Sequence, residues 1–343
     1  MASIDVAIPN YQYGRYLRDC VQSVLSQDVA DLRILIIDNA STDNSAEVAQ
    51  QLAAEDKRIC FVRHRSNLGH HASFNEAIDW AEADCFLLLC ADDMLTAGAL
   101  PRALSVMDQD ETINLAFANR AALTQPHPAS RRSDIGARWD VMSGRVLLER
   151  FCRTALCSIV GCSAVVRTAA QKRVGYYRMS LDHTDDFELF MRLALLDGNI
   201  AETRTPQVFL RSHDEARSAV VRRNRSLQIR KYEAAFTSFF AHEGRHLPDA
   251  ETLQRLARRS LASRAYWSGV SHLCRGDFAN AAGLLHYAVQ RSRSTAFVPP
   301  VDYLFRHERV LERAAGALED GLQRLHLARR GGRGEDRHAV PPN

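Results

Sequence analysis

The sequence predicts an α/β fold, a doubly wound sheet followed by an α-helical C-terminal region. Three observations predict it. Apolar runs of strand length alternate with amphipathic runs of helix length through the first 120 residues. The strand-like runs end on polar clusters rather than on more apolar residues. From about Ala219 the strand pattern stops and only helical periodicity remains. Alternation of this kind implies a parallel sheet with right-handed crossovers.

The elements follow in order. Ile4 to Pro9 reads as a short buried strand, and Tyr16 to Gln27 as a helix with Leu17, Cys20, Val21, Val24 and Leu25 on one face. Leu32 to Asp38 is a continuous apolar run ending in an acid. Ser45 to Glu55 is helical, preceded by the turn and cap residues Asn39 to Asn44. Ile59 to Arg63 is a strand, and Ser73 to Ala83 a helix with Phe74, Ala77, Ile78 and Ala81 facing inward. Cys85 to Cys90 lacks alternation, so it is expected to be buried on both faces. Ser143 to Arg153 and Thr168 to Val174 read as helices, Gly161 to Val166 as a strand, and Asp185 to Leu196 as an amphipathic helix. Strands at Ile200 to Thr203 and Val208 to Arg211 close the sheet pattern. Arg222 to His242, Ala250 to Cys274, Phe278 to Arg291 and Val301 to Ala328 are helical. The Gly276-Asp277 step resembles a tetratricopeptide-type hairpin, but one helix pair is not an array. Residues 329–343, rich in Gly, Arg and Pro, are expected to be disordered.

The 343 residues, 46% apolar and 25% charged, have the balance of a globular chain with a sizeable core. No apolar run approaches the roughly 18 residues of a membrane span, and no basic-then-apolar leader opens the sequence, so a cytoplasmic location is expected. The eight cysteines contain no Cys-x-x-Cys pair and are expected to be buried small hydrophobes, neither disulfides nor a zinc site. The net charge of +3 divides into −6 over residues 1–210 and +9 over residues 211–343. An acidic front half argues against a nucleic-acid enzyme. The basic back half suits a solvated helical surface, or contact with an anionic membrane or a polyanionic partner.

In open sheets, ligands bind beyond the carboxyl ends of the strands. Four polar clusters fall at such positions: Pro9-Asn10-Tyr11, Asp38 to Asp43, Ala91-Asp92-Asp93, and Asp185-Asp186. Each alone reads as a turn or a helix cap. Together they share one edge of one sheet. Two adjacent carboxylates after a buried strand repel unless a cation offsets them. A hard divalent ion, Mg2+ or Mn2+, takes such oxygen ligands and keeps places for substrate phosphates. No Gly-x-x-x-x-Gly-Lys-Ser/Thr loop or Gly-x-Gly-x-x-Gly turn is present, which removes support for P-loop and dinucleotide-binding readings.

Taken in order, these pieces resemble the family 2 glycosyltransferases of GT-A fold over roughly residues 3–220. The matching stretches are Val6 to Tyr11, Ile36 to Asp43, Asn67-Leu68-Gly69 with Asn75, and Ala91-Asp92-Asp93 in place of the Asp-x-Asp-type motif. Asp185 to Ala194 resembles the family's Glu-Asp-x-x-Leu-x-x-Arg-Leu helix, and Leu210 to Ser218 its Arg-x-His-x-x-x-x-Ser segment. The resemblance implies a mixed sheet, with a nucleotide-sugar half at about 1–120, an acceptor half at about 121–220 and a helical region at 221–328. It implies that Pro9, Asn10, Tyr11, Asp38 and Asn67 border the nucleotide, with Asp38 bonded to the base. Asp92 is expected at the ribose or a metal-bound water, Asp93 as direct metal ligand, His213 as a further metal or diphosphate contact, and Asp186 as general base. The sequence departs from the pattern at Phe74, where an arginine is common, at Asp185, commonly Glu, and at Ala91, where a third acid is common.

The expected activity is inverting transfer of a sugar from a nucleotide diphosphate sugar, most simply a UDP-sugar, to a hydroxyl of a glycan or lipid-linked acceptor. An acceptor hydroxyl needs a base within hydrogen-bond reach, and one carboxylate opposite a metal implies single displacement, unlike the paired carboxylates of retaining hydrolases. A nucleotide-sugar-binding protein without catalysis and a sugar nucleotidyltransferase are the alternatives. The helical region could dimerise the chain, meet a membrane surface peripherally or shape the acceptor site. His64, His70 and His71 are expected at the surface, Trp80, Trp139 and Trp267 in packing, with Trp139, in the middle loop, the one candidate acceptor platform, and Arg131-Arg132 on an exposed loop.

Overall fold

The computed structural model describes residues 2–119, 121, 137–211, 213, 220–221 and 224–306. The expectations for Arg131-Arg132, for Ser212 and Ser218, for the helix beyond 306 and for the 329–343 tail lie outside the described residues.

The first half alternates as the periodicity predicts: β1 (Ile4–Asn10), α1 (Gly14–Leu25), β2 (Leu32–Asp38), α2 (Ser45–Glu55), β3 (Ile59–Arg63), α3 (His70–Trp80), β4 (Cys85–Leu88). There follow β5 (Met94–Leu95), α4 (Ala99–Gln109), β6 (Ile113–Ala118), β7 (Trp139–Ser143), α5 (Gly144–Thr154), β8 (Val165–Arg167), α6 (Thr168–Val174), α7 (Asp185–Leu193), β9 (Asn199–Thr203) and β10 (Val208–Phe209). Helices α8 (Arg225–Ala241), α9 (Ala250–Cys274), α10 (Phe278–Arg291) and α11 (Val301–Leu304) complete the described chain.

Eight strands form one sheet in the order β3-β2-β1-β4-β8-β6-β9-β7. It is mixed: β1 is parallel to β2 and β4, whereas β8 is antiparallel to β4 and β6, and β7 to β9. Cys85, Phe86 and Leu87 of β4 are all buried, as a run without alternation requires in a central strand. Parallel pairing of β1 with β2 sets Asn10 beside Asp38, and β1 with β4 points the Ala91-Asp92-Asp93 turn to the same edge. A separate ribbon, β5 with β10, pairs Phe209 with Met94 and so carries Arg211 back to that turn.

Three expectations are corrected. Residues Gly161–Ser163 form a 3-10 turn, and the strand begins only at Val165. Trp139 does not sit in a loop but opens the edge strand β7, opposite Thr203. Helix α3 starts at His70, three residues before the expected Ser73, because Gly69 takes φ +83° and turns the chain into it. β5, β6 and β7 are elements that periodicity left unread.

The core has two main parts. One packs α1, α2 and α4 against β1, β2 and β4. The other joins β6, α5 and α7 to the C-terminal helices, with Phe117, Phe151, Phe187, Phe239, Leu261 and Leu284 in one cluster. The Phe187 ring meets Phe151, Tyr232 and Phe236 at centroid distances of 5.1, 4.9 and 5.2 Å. The helical region therefore shares its apolar interior with the sheet domain. Among the described residues no helix is long and apolar enough to cross a membrane.

Candidate active site

The loop after β2 is built on a buried carboxylate. Asp38, fully enclosed, accepts from Asn10 Nδ2 at 2.8 Å and from the Ser41 amide at 3.1 Å. Arg63 Nε stands 3.6 Å from its second oxygen. Ser41 Oγ in turn accepts from the Gln12 amide at 2.9 Å, and Gln12 Oε1 from the Asp43 amide at 3.1 Å. Gln12 and Ala40 take the left-handed backbone at φ +62° and +59°, so these bonds hold two turns in a conformation that side chains disfavour. Asp38 thus has both oxygens engaged within the protein, and Tyr11, 44% exposed, with Pro9 half-buried beside it, forms the open rim. Asn39 ties in the next turn: its Nδ2 donates to Asn67 Oδ1 at 2.9 Å, and its Oδ1 accepts from the Leu68 amide at 2.9 Å.

At the end of β4 the acidic pair divides. Asp93 is buried, its Oδ1 accepting from the Arg211 amide at 3.1 Å and its Oδ2 from Cys162 Sγ at 3.2 Å. Burial, reinforced by the Asp92 charge, pushes the Asp93 carboxyl up to about 7. Asp92 Oδ2 lies 3.0 Å from His213 Nε2, and the His213 ring packs against Tyr13 and Tyr16 at 5.4 and 5.6 Å. His213 therefore meets Asp92 rather than Asp93. A carboxyl raised by burial and by a like charge, with a second carboxylate and an imidazole beside it, is a donor set that suits a divalent cation.

Helix α7 carries the second acidic pair. Asp185 is buried at 1% exposure and points toward His70 and His71, whose Nε2 atoms stand 3.6 and 3.3 Å from its Oδ2. Asp186 Oδ1 accepts from the Phe187 amide at 2.7 Å. One cavity is lined by Cys90, Gly161, Cys162, Tyr177, Asp185 and Asp186. Cys162 touches Asp93, and a Cβ placed on the neighbouring Gly161 would stand 3.5 Å from Asp186 Oδ2. The Asp185-Asp186 pair lines this cavity, and the 161–162 turn links it to Asp93 through Cys162. Phe74, where an arginine was expected from the family pattern, packs its ring against Tyr177 and His70 at 5.2 and 5.3 Å. Asn75 grips the backbone of Tyr177 on both sides, accepting from its amide at 2.8 Å and donating to its carbonyl at 3.3 Å.

The histidine expectation is corrected. His71 is buried against Asp185, and the His64 side chain, 8% exposed, is held between Asn39 Oδ1 at 2.9 Å and Glu76 Oε2 at 2.6 Å. His70 and His71 stand at the start of a helix aimed at α7, a placement invisible while the helix was read from Ser73. Cys90 and Cys162 also exceed their expected role as apolar filler, since both flank Asp93. All eight cysteines are free, and Cys60 and Cys274 are exposed. The 72-residue separation of Cys90 and Cys162 gives a sequence no spacing to read. Of the tryptophans, Trp80 lies under Arg33 at 4.9 Å and Trp267 donates to the Pro300 carbonyl at 3.0 Å, both packing roles.

Comparison with known proteins bears on the family and the fold. An uncharacterized glycosyltransferase of Nostoc sp. is 33% identical over 112 residues, covering 33% of this chain and 35% of that protein. Chondroitin synthase of Pasteurella multocida is 31% identical over 110 residues, 32% of this chain and 11% of the synthase. The match thus spans about a third of the Nostoc relative's length and far less of the synthase's. Among solved structures, Staphylococcus aureus TarS residues 1–349 in complex with UDP superposes with a TM-score of 0.58 at 15% identity, covering 98% of this chain and 94% of that one. A mannosyltransferase from Pyrobaculum calidifontis in complex with GDP-Man and Mn2+ superposes at 0.52 with 16% identity, covering 84% and 87%. These likenesses establish the GT-A fold. Residues 5–175 match the sequence pattern described as Glycosyl transferase family 2, and the chain belongs to that family.

Proposed function

We propose that this chain is an inverting, metal-assisted glycosyltransferase that moves a sugar from a nucleotide diphosphate sugar to a hydroxyl of a glycan or lipid-linked acceptor. The observation that carries the reading is that Cys162, which bonds Asp93, lines one cavity together with Gly161 and Asp186, so that the 161–162 turn stands between the two acidic turns. Pro9, Asn10, Tyr11 and Asn67 frame the nucleotide side, with Asp38 holding the loop that shapes it. Asp92 and Asp93, with His213 against Asp92, are the residues that would hold Mg2+ or Mn2+. Bound there, such a cation supplies Lewis-acid stabilisation of the departing diphosphate. Asp186 takes the proton of the acceptor hydroxyl as that oxygen attacks the anomeric carbon. With Asp186 acting as base and no carboxylate attacking the anomeric carbon, the displacement is direct and the anomeric configuration inverts.

A UDP-sugar is the favoured donor; the TarS and mannosyltransferase complexes, with UDP and with GDP-Man and Mn2+, define the donor classes to compare. The same reading assigns the donor half to about residues 1–120, the acceptor half to about 121–220 and the helical region to 221–328.

The test is a panel of UDP-, GDP- and dTDP-sugars, each with Mn2+ and with chelator, followed by thermal stabilisation and slow donor hydrolysis. Stabilisation by one donor class only when metal is present is expected. Asp93→Ala should abolish it. Asp186→Asn should retain donor binding while lowering turnover by about 100-fold or more. Absence of any metal-dependent nucleotide effect, or release of pyrophosphate from a nucleoside triphosphate, would overturn the reading.

A further inference from the structure

We propose that His70, His71 and Asp185 form a second cation site, of a kind that takes zinc rather than Mg2+ or Mn2+, separate from the Asp92–Asp93 turn. Consecutive residues on a helix point roughly 100° apart, yet the first two residues of α3 turn both imidazoles toward one oxygen of one carboxylate. Their Nε2 atoms stand 3.6 and 3.3 Å from Asp185 Oδ2, and the two rings lie 3.8 Å apart at a 38° tilt. One ligand atom from each of the three residues falls within 4.8 Å of the others.

The surroundings are those of a built site. The His71 side chain is 8% exposed and that of Asp185 1%. The Nε2 atoms of both histidines are buried and make no hydrogen bond among the described residues. A buried ring nitrogen without a hydrogen bond is costly, and a cation between the two rings and the carboxylate would satisfy both.

Distances and chemistry point the same way. The separations of 3.3 and 3.6 Å exceed the usual hydrogen-bond range. They match the edge of a tetrahedron, about 3.4 Å, around a zinc ion with bonds of about 2.1 Å. Two imidazoles and one carboxylate suit zinc and its neighbours in the transition series, whereas sets dominated by carboxylate oxygens suit Mg2+ and Mn2+. The remaining coordination position is left to water or an acceptor oxygen, since Asp185 lines the same cavity as Asp186. Zinc here would pin α3 to α7 and offset the charge of the carboxylate next to Asp186. The inference stands apart from the donor-site reading: zinc can fail to bind while sugar transfer proceeds, and the reverse.

The experiment uses the full chain, stripped with chelator and titrated with zinc chloride by calorimetry, then with Co2+ by absorption spectroscopy. A single zinc site is expected, kept in the double variant Asp93→Asn, Cys162→Ser and weakened by about 100-fold in His71→Asn and in His70→Gln. The His70 side chain is 28% exposed, so His70→Gln carries the test if His71→Asn weakens the fold. The Co2+ spectrum should show tetrahedral d–d bands without thiolate charge transfer. Zinc affinity unchanged in both histidine variants, a thiolate band assigning the ion to Cys90 and Cys162, or no zinc binding at all would overturn the proposal.

Discussion

Cys162 Sγ donates to Asp93 Oδ2 at 3.2 Å, on a carboxylate whose other oxygen accepts from the Arg211 amide at 3.1 Å. Neither partner is a cation in direct contact with the carboxylate, so burial and the neighbouring Asp92 charge dominate and Asp93 titrates at about 7. Below that pH it is protonated and a poor ligand. Mn2+ affinity should therefore fall about tenfold for each pH unit below 7, and Asp93→Asn should remove both the binding and its pH dependence.

The same carboxyl makes a prediction for stability without metal. The folded chain holds this proton up to about pH 7, whereas the unfolded chain releases it near 3.8. The folded state therefore binds more protons in that window, and its stability falls as pH rises through it. The stabilisation is fully present below 3.8 and lost above about 7, with a size on the order of 4 kcal/mol. Chemical denaturation in chelator across the window checks the sign: Asp93→Asn should flatten the slope, and saturating Mn2+ should reverse it.

Gly14 links the donor loop to α2. A Cβ there would lie 2.3 Å from Asn44 Oδ1 and 2.8 Å from the Ser45 amide nitrogen, and the Gly14 amide donates to Asp43 Oδ2 at 3.0 Å. Gly14→Ala must push the start of α1 off the Asp38–Asp43 turn. We expect about 1–3 kcal/mol of destabilisation and weaker donor binding with turnover at saturating donor little changed. A melting curve and a donor titration separate the two effects.

Asp5 offers a control far from chemistry. Its enclosed carboxylate receives two bonds from Arg33, at 2.8 and 2.7 Å, and the amides of Glu82 and Ala83 at 2.7 and 2.9 Å. Burial works to raise its pKa, but these donors outweigh it and hold the carboxyl below the usual range. The stability it supplies is present above pH 3.8 and lost as pH falls through its depressed value. Asp5→Ala should cost about 3 kcal/mol, read by urea denaturation at neutral pH, with donor affinity unaltered in the fraction that remains folded.

What the sequence revealed follows from where its signals are local. The runs at Ile4, Leu32 and Cys85 are continuous because their strands are covered on both faces, so periodicity and length sufficed to place Asp38 at the end of its strand and Asp93 in the turn that follows β4. β7 escaped because residues Trp139–Ser143 form an edge strand with mixed exposure, and β5 because two residues carry no period. At the site, acids after buried strands were legible as a class. The partners that decide their chemistry were not: Cys162 reaches Asp93 across 69 residues and Arg211 across 118. Such pairings are set by the antiparallel return of β8 and by the β5–β10 ribbon, which no local spacing encodes. His70 and His71 were missed for a smaller reason, the early start of α3 after Gly69.

The last prediction concerns how α7 is held. Glu188, fully buried, bonds Arg178 through one oxygen and Arg192 Nε through the other at 2.9 Å, while Arg178 continues to Glu243 at 2.6 Å. Arg192 also caps the backbone behind it, donating to the Tyr176 carbonyl at 2.8 Å. Glu188 sits two residues after Asp186, so this network fixes the rotation of the helix that presents the proposed base. Burial raises the Glu188 carboxyl, but the two guanidiniums act against that shift. Glu188→Gln keeps the shape and removes the charge, leaving two arginines facing a neutral amide. We expect about 3 kcal/mol of lost stability. We also expect a fall in turnover larger than any change in donor KM, because Asp93 and the nucleotide loops stand on other elements. Should donor affinity fall and turnover at saturating donor hold, α7 would be shaping the donor side instead, and the assignment of Asp186 to the acceptor would have to be abandoned.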